Sequence, residues 1–490
     1  MTESAPAAAG GSYRQILRSS TVVGGASVAQ VLLGLIRMKA AALIVGVTGV
    51  GLIGLFANLV LTAGTFGGLG IGAAATRQIA AERSRAGEQG EAVVRHALAS
   101  ATLFLAAAAT IVVWLLRTPI ARLALGDQRF AGAVGWLSIG VGLTIVATSQ
   151  TSLLAGLRQM GAIARTYVVA GLIATVAGTA LIYLCAFRAI AFFVIALPLA
   201  NVIAGAWFVA RLPRPGRGTF DLRSLPPQWR QLGSLGIAIM GGQLLANAAQ
   251  LGVRGVIAQR LGFAELGLFQ GAFMISVTYL GIVLQAMAAD YYPRLSEAVH
   301  EQDRAVRLVN EQTEVALLLG GPIILAGLGL APLGLEILYS SAFRPAAELL
   351  RWQMLGDVLK IAGWPAGFVL LAANRGGLFL LLEAIGWAVF VATTWLLLPS
   401  LGLKAAGIAV FVMYCVYLPL VFLAAKRVIG IRWSRAVRAH FLIVAGAAIA
   451  VFALAYYDLW LGMAAGATGA LLLLAVAAMR LRERIASRPK

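Results

Sequence analysis

An all-α polytopic membrane protein with about 14 transmembrane helices is what the sequence predicts, because continuous apolar stretches of spanning length recur along it. Two further observations agree. Residues of hydrophobic type make up 60% of the chain and charged ones only 12%, with a mean hydropathy of +0.89, which is too apolar for a soluble domain. The Lys and Arg residues gather between the apolar stretches rather than within them. Backbone groups in hydrocarbon must be satisfied inside their own segment, so helices follow. A β-barrel would instead show short alternating strands.

The elements follow in order. The opening MTESAPAAAGGSYRQILRSS has no cationic stretch leading directly into an apolar run and a small-residue cleavage site. Residues 1–18 are therefore expected to stay in the cytoplasm. Six apolar runs of spanning length come next, at about 19–45, 49–75, 94–116, 131–155, 163–185 and 188–210, and they make an amino-terminal lobe over 19–210. Residues 211–231 contain RLPRPGRGTFDLRSLPPQW, a Pro- and Arg-rich stretch that reads as a cytoplasmic linker. A second set of six, at about 232–258, 263–289, 313–337, 350–373, 376–398 and 403–425, forms a carboxy-terminal lobe over 232–425. After a basic loop at 426–438, two more runs lie at about 439–457 and 459–479, followed by a cytoplasmic tail over 480–490.

The net charge of +20, from 39 Lys and Arg against 19 Asp and Glu, is distributed in the manner of a membrane topology signal rather than a nucleic-acid surface. Arg211, Arg214, Arg217, Arg223 and Arg230 cluster after the sixth run. Lys426, Arg427, Arg432, Arg435 and Arg438 cluster after the twelfth. Such clusters favour the cytoplasmic face and touch anionic lipid headgroups, so both termini are expected inside, with membrane lipids as partners and no nucleic acid. Cys185 and Cys415 fall inside apolar runs and read as packing. His96, His300 and His440 are scattered, so no metal centre is expected. A phosphate-binding G-x-x-x-x-G-K-[ST] stretch does not occur, and nothing calls for a cofactor or for ATP hydrolysis by this chain.

The two sets of six look like a repeat. Leu153, Leu154, Ala155 and Arg158 recur as Leu370, Leu371, Ala372 and Arg375 at a spacing of 217, and Gly46, Gly51 and Leu52 recur as Gly262, Gly267 and Leu268 at 216. Six crossings per half is even, so both halves enter the membrane in the same sense. A binding cleft between the halves, opened to alternate sides by rocking, is the expectation.

Inside the spans, polar residues fall into stripes. Gln243, Asn247, Gln250 and Arg254 are spaced by four, three and four residues, which places them on one helical face. Gln353, Asp357, Lys360 and Trp364 repeat that spacing. Ser20, Ser27, Gln30 and Arg37 form a weaker stripe, and Asn58 adds an amide to the second run. The amides suit either hydrogen bonding between helices or a wet cavity. The cations Arg37, Lys39, Arg254 and Lys360 carry more meaning, because charge within a span is costly and marks pathways. Lys39 lies about 200° around the helix from Arg37, so the two cannot face one cavity. Asp357 and Lys360 are placed for an ion pair that is either structural or a switch.

These residues resemble the O-antigen and exopolysaccharide flippases of the Wzx type, in the MOP superfamily of lipid and drug exporters. Arg351-Trp352-Gln353-Met354-Leu355-Gly356-Asp357-Val358-Leu359-Lys360 resembles that family's W-Q-x-x-G-D-x-x-K segment. Lys39 followed by Gly46, Gly49, Gly51 and Leu52 is similar to its basic residue and G-P-x-G-x-G-L turn, with Val47 in place of the proline. Arg254, Gly267, Gln270 and Gly271, and Tyr291-Tyr292-Pro293-Arg294-Leu295, are similar to its seventh and eighth helices. The likeness covers roughly residues 12–425. It implies two six-helix lobes in a MATE-like inverted V, a cationic cavity, and passage of undecaprenyl-pyrophosphate-linked oligosaccharide across a bacterial inner membrane. On this reading Arg37, Lys39, Arg254, Lys360, Gln30, Asn58, Gln243, Asn247, Gln250 and Gln353 contact substrate. Energy is expected from sugar consumption outside, from the membrane potential or from H⁺ or Na⁺ exchange, with Asp357 or Glu383 as the carboxylates for the last, and polysaccharide polymerase and chain-length proteins are candidate partners. The extra carboxy-terminal pair is similar to that of peptidoglycan-precursor flippases, so a lipid II substrate stands as an alternative. A cation-exporting drug transporter and a membrane polymerase or glycosyltransferase are the other readings.

Overall fold

The computed structural model describes residues 9–212 and 225–486. Residues 1–8, the middle of the expected linker at 213–224, and 487–490 lie outside the described residues, as do the side chains of Ser20 and Ser27. The described chain is helical with no strand. Its long helices are α1 (Ala9–Gly67), α2 (Ile71–Leu115), α3 (Ala131–Gly156), α4 (Met160–Cys185), α5 (Ile190–Ala210), α6 (Leu225–Leu261) and α7 (Phe263–Ala298). Then come α8 (Gln302–Gly329), α9 (Ala347–Ala372), α10 (Gly376–Leu401), α11 (Lys404–Ile429), α12 (Arg435–Tyr457) and α13 (Leu459–Ala486).

Among the described residues, 10 segments are long and apolar enough to cross a membrane. Two of them, Val28–Gly67 with 40 residues and Met160–Ala210 with 51, are each long enough for two passages at about 20 residues per crossing. Both are broken inside. In α1 the break is Gly46, whose φ of 63° and ψ of −166° leave the helical region. Between α4 and α5 the turn begins at Ala186, with φ 47°. Several ends differ from the sequence expectation: α1 stops at Gly67 and α2 already begins at Ile71, with its own break at Gly87, φ 61°. Glycine supplies the positive φ there without the Cβ clash an L side chain would meet.

The repeat is visible in the backbone. Positive φ angles occur at Gly46 and Gly262, at Arg158 and Asn374, and at Ala186 and Gly402, three pairs that share one spacing of 216. At the second pair the hydrogen bonds also match. Arg158 N bonds Ala155 O at 2.9 Å and Gln159 N bonds Leu154 O at 2.8 Å, while Asn374 N bonds Leu371 O at 3.1 Å and Arg375 N bonds Leu370 O at 2.7 Å. This is the left-handed cap that satisfies the last carbonyls of a helix. The structural partner of Arg158 is therefore Asn374 rather than Arg375. The side-chain identities at 217 are offset by one residue from the geometry.

The chain packs as two compact units, one made of Leu52–Leu251 with the chain up to Val45, the other of Gly46–Gly51 with the chain from Gly252 onward. In the first unit α3 lies along α2 and α5, and α4 along α5. Ile71, Ala75 and Ile79 meet Val94, Leu98, Leu153 and Leu157 in its core. In the second, α9 packs against α7, α8 and α11, while α12 and α13 pack on α8. A Cβ added to Gly329 would fall 2.6 Å from the backbone of Gly462 and Gly466, so small residues let α8 and α13 approach closely, as lipid-embedded helices commonly do. Leu103, Leu115, Leu442 and Leu471 are exposed, as expected of side chains whose solvent is acyl chain.

Candidate functional site

The two units carry different polar groups. In the first, Arg37 extends along α1 until its guanidinium lies 4.8 Å over the ring of Phe193 in α5. Gly178 of α4 makes the room, since a Cβ there would sit 3.1 Å from Phe193 and 3.8 Å from the Arg37 side chain. Stacking on an aromatic face stabilises a desolvated cation. Even so, Nη1 of Arg37 is buried and finds no hydrogen-bond acceptor. Gln30 and Lys39 are half-buried on the same helix. Asn58 is buried, with its Oδ1 unpaired. Farther along, the α6 stripe is a connected set. Gln243 Nε2 donates to Asn247 Oδ1 at 3.0 Å, Asn247 Nδ2 donates to Thr65 Oγ1 at 3.3 Å, and Thr62 Oγ1 donates to Asn247 O at 3.3 Å. Asn247 is only 2% exposed while Gln243 is open, so one end of the set is structural and the other is available. Gln250 is half-buried.

In the second unit, Arg254 is 3% exposed. Its Nε donates to Gln270 Oε1 at 3.1 Å, and its guanidinium lies 5.0 Å from the Phe273 ring centre and 5.7 Å from that of Phe269. The α9 stripe forms a second network. Ser276 Oγ donates to Asp357 Oδ2 at 2.6 Å, and Lys360 Nζ lies 3.5 Å from Asp357 Oδ1. Asp357 is sealed, whereas the Lys360 side chain keeps 23% of its surface open, and its ammonium faces the Tyr414 ring at 5.9 Å. Glu383 of α10 accepts a 2.8 Å bond from the Tyr417 hydroxyl of α11. Gln353 is fully buried with both amide atoms unpaired, which a bound group or a water would relieve.

Ser276, Phe193, Tyr414, Tyr417, Thr62 and Thr65 were not singled out from sequence. Each is an ordinary span residue that acquires meaning only through a partner on another helix. Among the described residues no group of His, Cys, Asp and Glu is placed to hold a metal ion.

Residues 16–299 match the family described as polysaccharide biosynthesis protein. This chain belongs to that family. Among curated relatives, the Lipid III flippases of Escherichia coli and Shigella flexneri are each 25% identical over 402 residues, 80% of this chain and 95% of theirs. Among solved structures, the inward-facing form of a multidrug resistance MATE transporter of the MOP superfamily aligns with a TM-score of 0.72 at 16% identity, over 84% of this chain and 98% of its own. The Lipid II flippase MurJ, inward closed, aligns with a TM-score of 0.69 at 12% identity, over 94% and 99%. The family member described here thus has the MOP fold and is a multi-pass membrane protein. The greater share of it covered by the second fold spans more than the first can.

Proposed function

We propose that this chain is a flippase that moves an undecaprenyl-pyrophosphate-linked oligosaccharide, an O-antigen or exopolysaccharide repeat unit, from the cytoplasmic to the periplasmic leaflet of a bacterial inner membrane by alternating access. Arg37 carries the reading. A guanidinium held within an apolar span, braced on Phe193 yet with a buried N–H that no protein group accepts, suits an anionic oxygen arriving from outside the protein. Pyrophosphate cannot cross hydrocarbon with its charge bare, and fixed cations replace its lost hydration. Lys360, which is partly open, is the corresponding cation of the second unit. Arg254, closed in on Gln270 and two rings, contributes field more than contact.

Fourteen crossings fit this reading if Val28–Gly67 and Met160–Ala210 each cross twice and α6 and α7 are added to the 10 apolar segments. Asp357 and Glu383, each hydrogen-bonded to a hydroxyl, are the carboxylates available to couple H⁺ or Na⁺. Polymerase and chain-length proteins would receive the product. The test is flipping of a fluorescent polyprenyl-pyrophosphate oligosaccharide in reconstituted vesicles: wild type moves it and Arg37→Ala does not, and equal rates would overturn the assignment.

A second substrate, the peptidoglycan precursor lipid II, is favoured by one observation. The fold of the Lipid II flippase MurJ covers 94% of this chain, against 84% for the MATE transporter. Competing both lipids in the same vesicles decides between them.

A further inference from the structure

We infer that a hydroxyl-lined cavity in the first unit is the subsite for an uncharged sugar of the carried headgroup, separate from the groups that meet the pyrophosphate. The inference rests on the flippase reading and adds to it a place and a chemistry for the carbohydrate. The cavity has a volume of about 420 Å³, within the range of about 300–1,000 Å³ typical of small-ligand sites. It is bounded by α1, the start of α2, α3 and α6, and its polar lining is Thr65, Thr144, Thr148, Ser149 and Gln243. None of its lining residues is charged. Gly64, Gly68 and Gly72 also line it, and a Cβ at Gly72 would come within 2.8 Å of Ser152 Oγ.

The absence of charge and the direction of the hydrogen bonds together favour an uncharged, hydroxyl-bearing ligand. Thr144 Oγ1 donates to Gly140 O at 2.8 Å, Thr148 Oγ1 to Thr144 O at 2.8 Å, and Thr65 Oγ1 to Leu61 O at 2.8 Å. Each hydroxyl has one proton and commits it to its own helix, so what remains toward the cavity is lone pairs. Ser149 Oγ is positioned by a 2.7 Å bond from Thr102. Gln243 turns one N–H to Asn247, which leaves its Oε1 as an acceptor and its second N–H as a donor, and Ser149 keeps its own hydroxyl proton. With three of its hydroxyl protons committed and no cation in its lining, the wall suits an ionised phosphate poorly, because that group only accepts and brings a charge nothing here offsets. A sugar hydroxyl, which donates and accepts at once, can meet the threonine oxygens and the remaining protons of Gln243 and Ser149 alike.

Thr→Val keeps the shape of the side chain and removes the lone pairs, so Thr144→Val/Thr148→Val tests the idea in the full-length protein in vesicles. Two probes are used: polyprenyl pyrophosphate bearing an uncharged oligosaccharide, and bare polyprenyl pyrophosphate. Binding of the sugar-bearing lipid is expected to fall about tenfold, the loss of one to two hydrogen bonds, while the bare lipid binds as before. Thr144→Ser/Thr148→Ser, which keeps both oxygens, is expected to bind as the wild type does and serves as the folded control. Unchanged binding of the sugar-bearing lipid, or equal loss of both probes, overturns the subsite alone. Failure of the wild type to bind either lipid overturns the flippase reading and the subsite with it.

Discussion

Ser276 and Asp357, 81 residues apart, share a 2.6 Å hydrogen bond between α7 and α9. The carboxylate it serves is 1% exposed and has Lys360 at 3.5 Å on its other oxygen. A buried anion is tolerable only with such partners, so the serine, the acid and the lysine act as one unit.

That unit makes the two halves of the ion pair unequal. Lys360→Ala strands a sealed carboxylate and is expected to cost roughly 3 kcal/mol. Asp357→Asn keeps the bond to Ser276 and leaves a lysine that reaches water, and should cost less. Combining the two should recover much of the loss. Thermal unfolding in detergent checks the order; additive losses would refute the coupling.

Gly51 and Gly267 separate two kinds of glycine. A Cβ on Gly51 would meet Gly267 N at 2.7 Å and the Phe263 carbonyl, and one on Gly267 would strike the Val47 backbone. Backbone cannot yield, so Gly267→Ala should destabilise by about 3 kcal/mol or fail to fold. Gly46→Ala meets no neighbour and is opposed only by its backbone, φ 63° and ψ −166°, a penalty of about 1–3 kcal/mol. Folded yield and unfolding temperature should rank the two accordingly.

Arg351 ties helix ends together. Its Nε donates to Leu328 O at 3.1 Å and its Nη1 to Ala455 O at 3.2 Å, carbonyls in the last turns of α8 and α12 that have no partner within their own helices. Arg351→Leu should lower stability by on the order of 2 kcal/mol and leave binding of polyprenyl pyrophosphate intact. Faster proteolysis between α11 and α12 would be the local sign; unchanged cleavage would show that α12 is held by other means.

Arg37 and Arg254 should give opposite signatures. Arg37→Ala removes a stacked but incompletely bonded cation, so flipping is lost while the unfolding temperature barely moves, a change of about 1 kcal/mol or less. Arg254→Ala empties a closed niche between Gln270, Phe269 and Phe273 and should lower the amount of folded protein first, at about 2–3 kcal/mol. Quantifying protein by gel alongside the vesicle assay separates them.

The α-helical membrane class could be read from hydropathy because lipid leaves the backbone few choices. One contact between near neighbours on a helix was legible too: Lys360 does pair with Asp357, as their spacing allows, whereas the bond from Gln243 to Asn247 within α6 was legible only as a shared face. Ser276 with Asp357, and Tyr417 with Glu383, were not, since they join helices far apart in the chain and a lone serine or tyrosine in an apolar run has no periodicity of its own. The repeat was legible at the glycines. At Arg158 the side-chain match misled by one residue, because the backbone turn, which any residue can be forced into, outlasted the identity of the residue making it.

The three positive-φ positions at 46, 158 and 186 and their counterparts at 262, 374 and 402 have a consequence for how such a carrier changes cargo. The turns recur at one spacing, but the polar side chains between them do not: Thr62, Thr65, Thr144 and Thr148 lie in one half, and Ser276, Asp357 and Lys360 in the other. New specificity can therefore evolve by refurnishing a single half while the mechanical frame stays untouched.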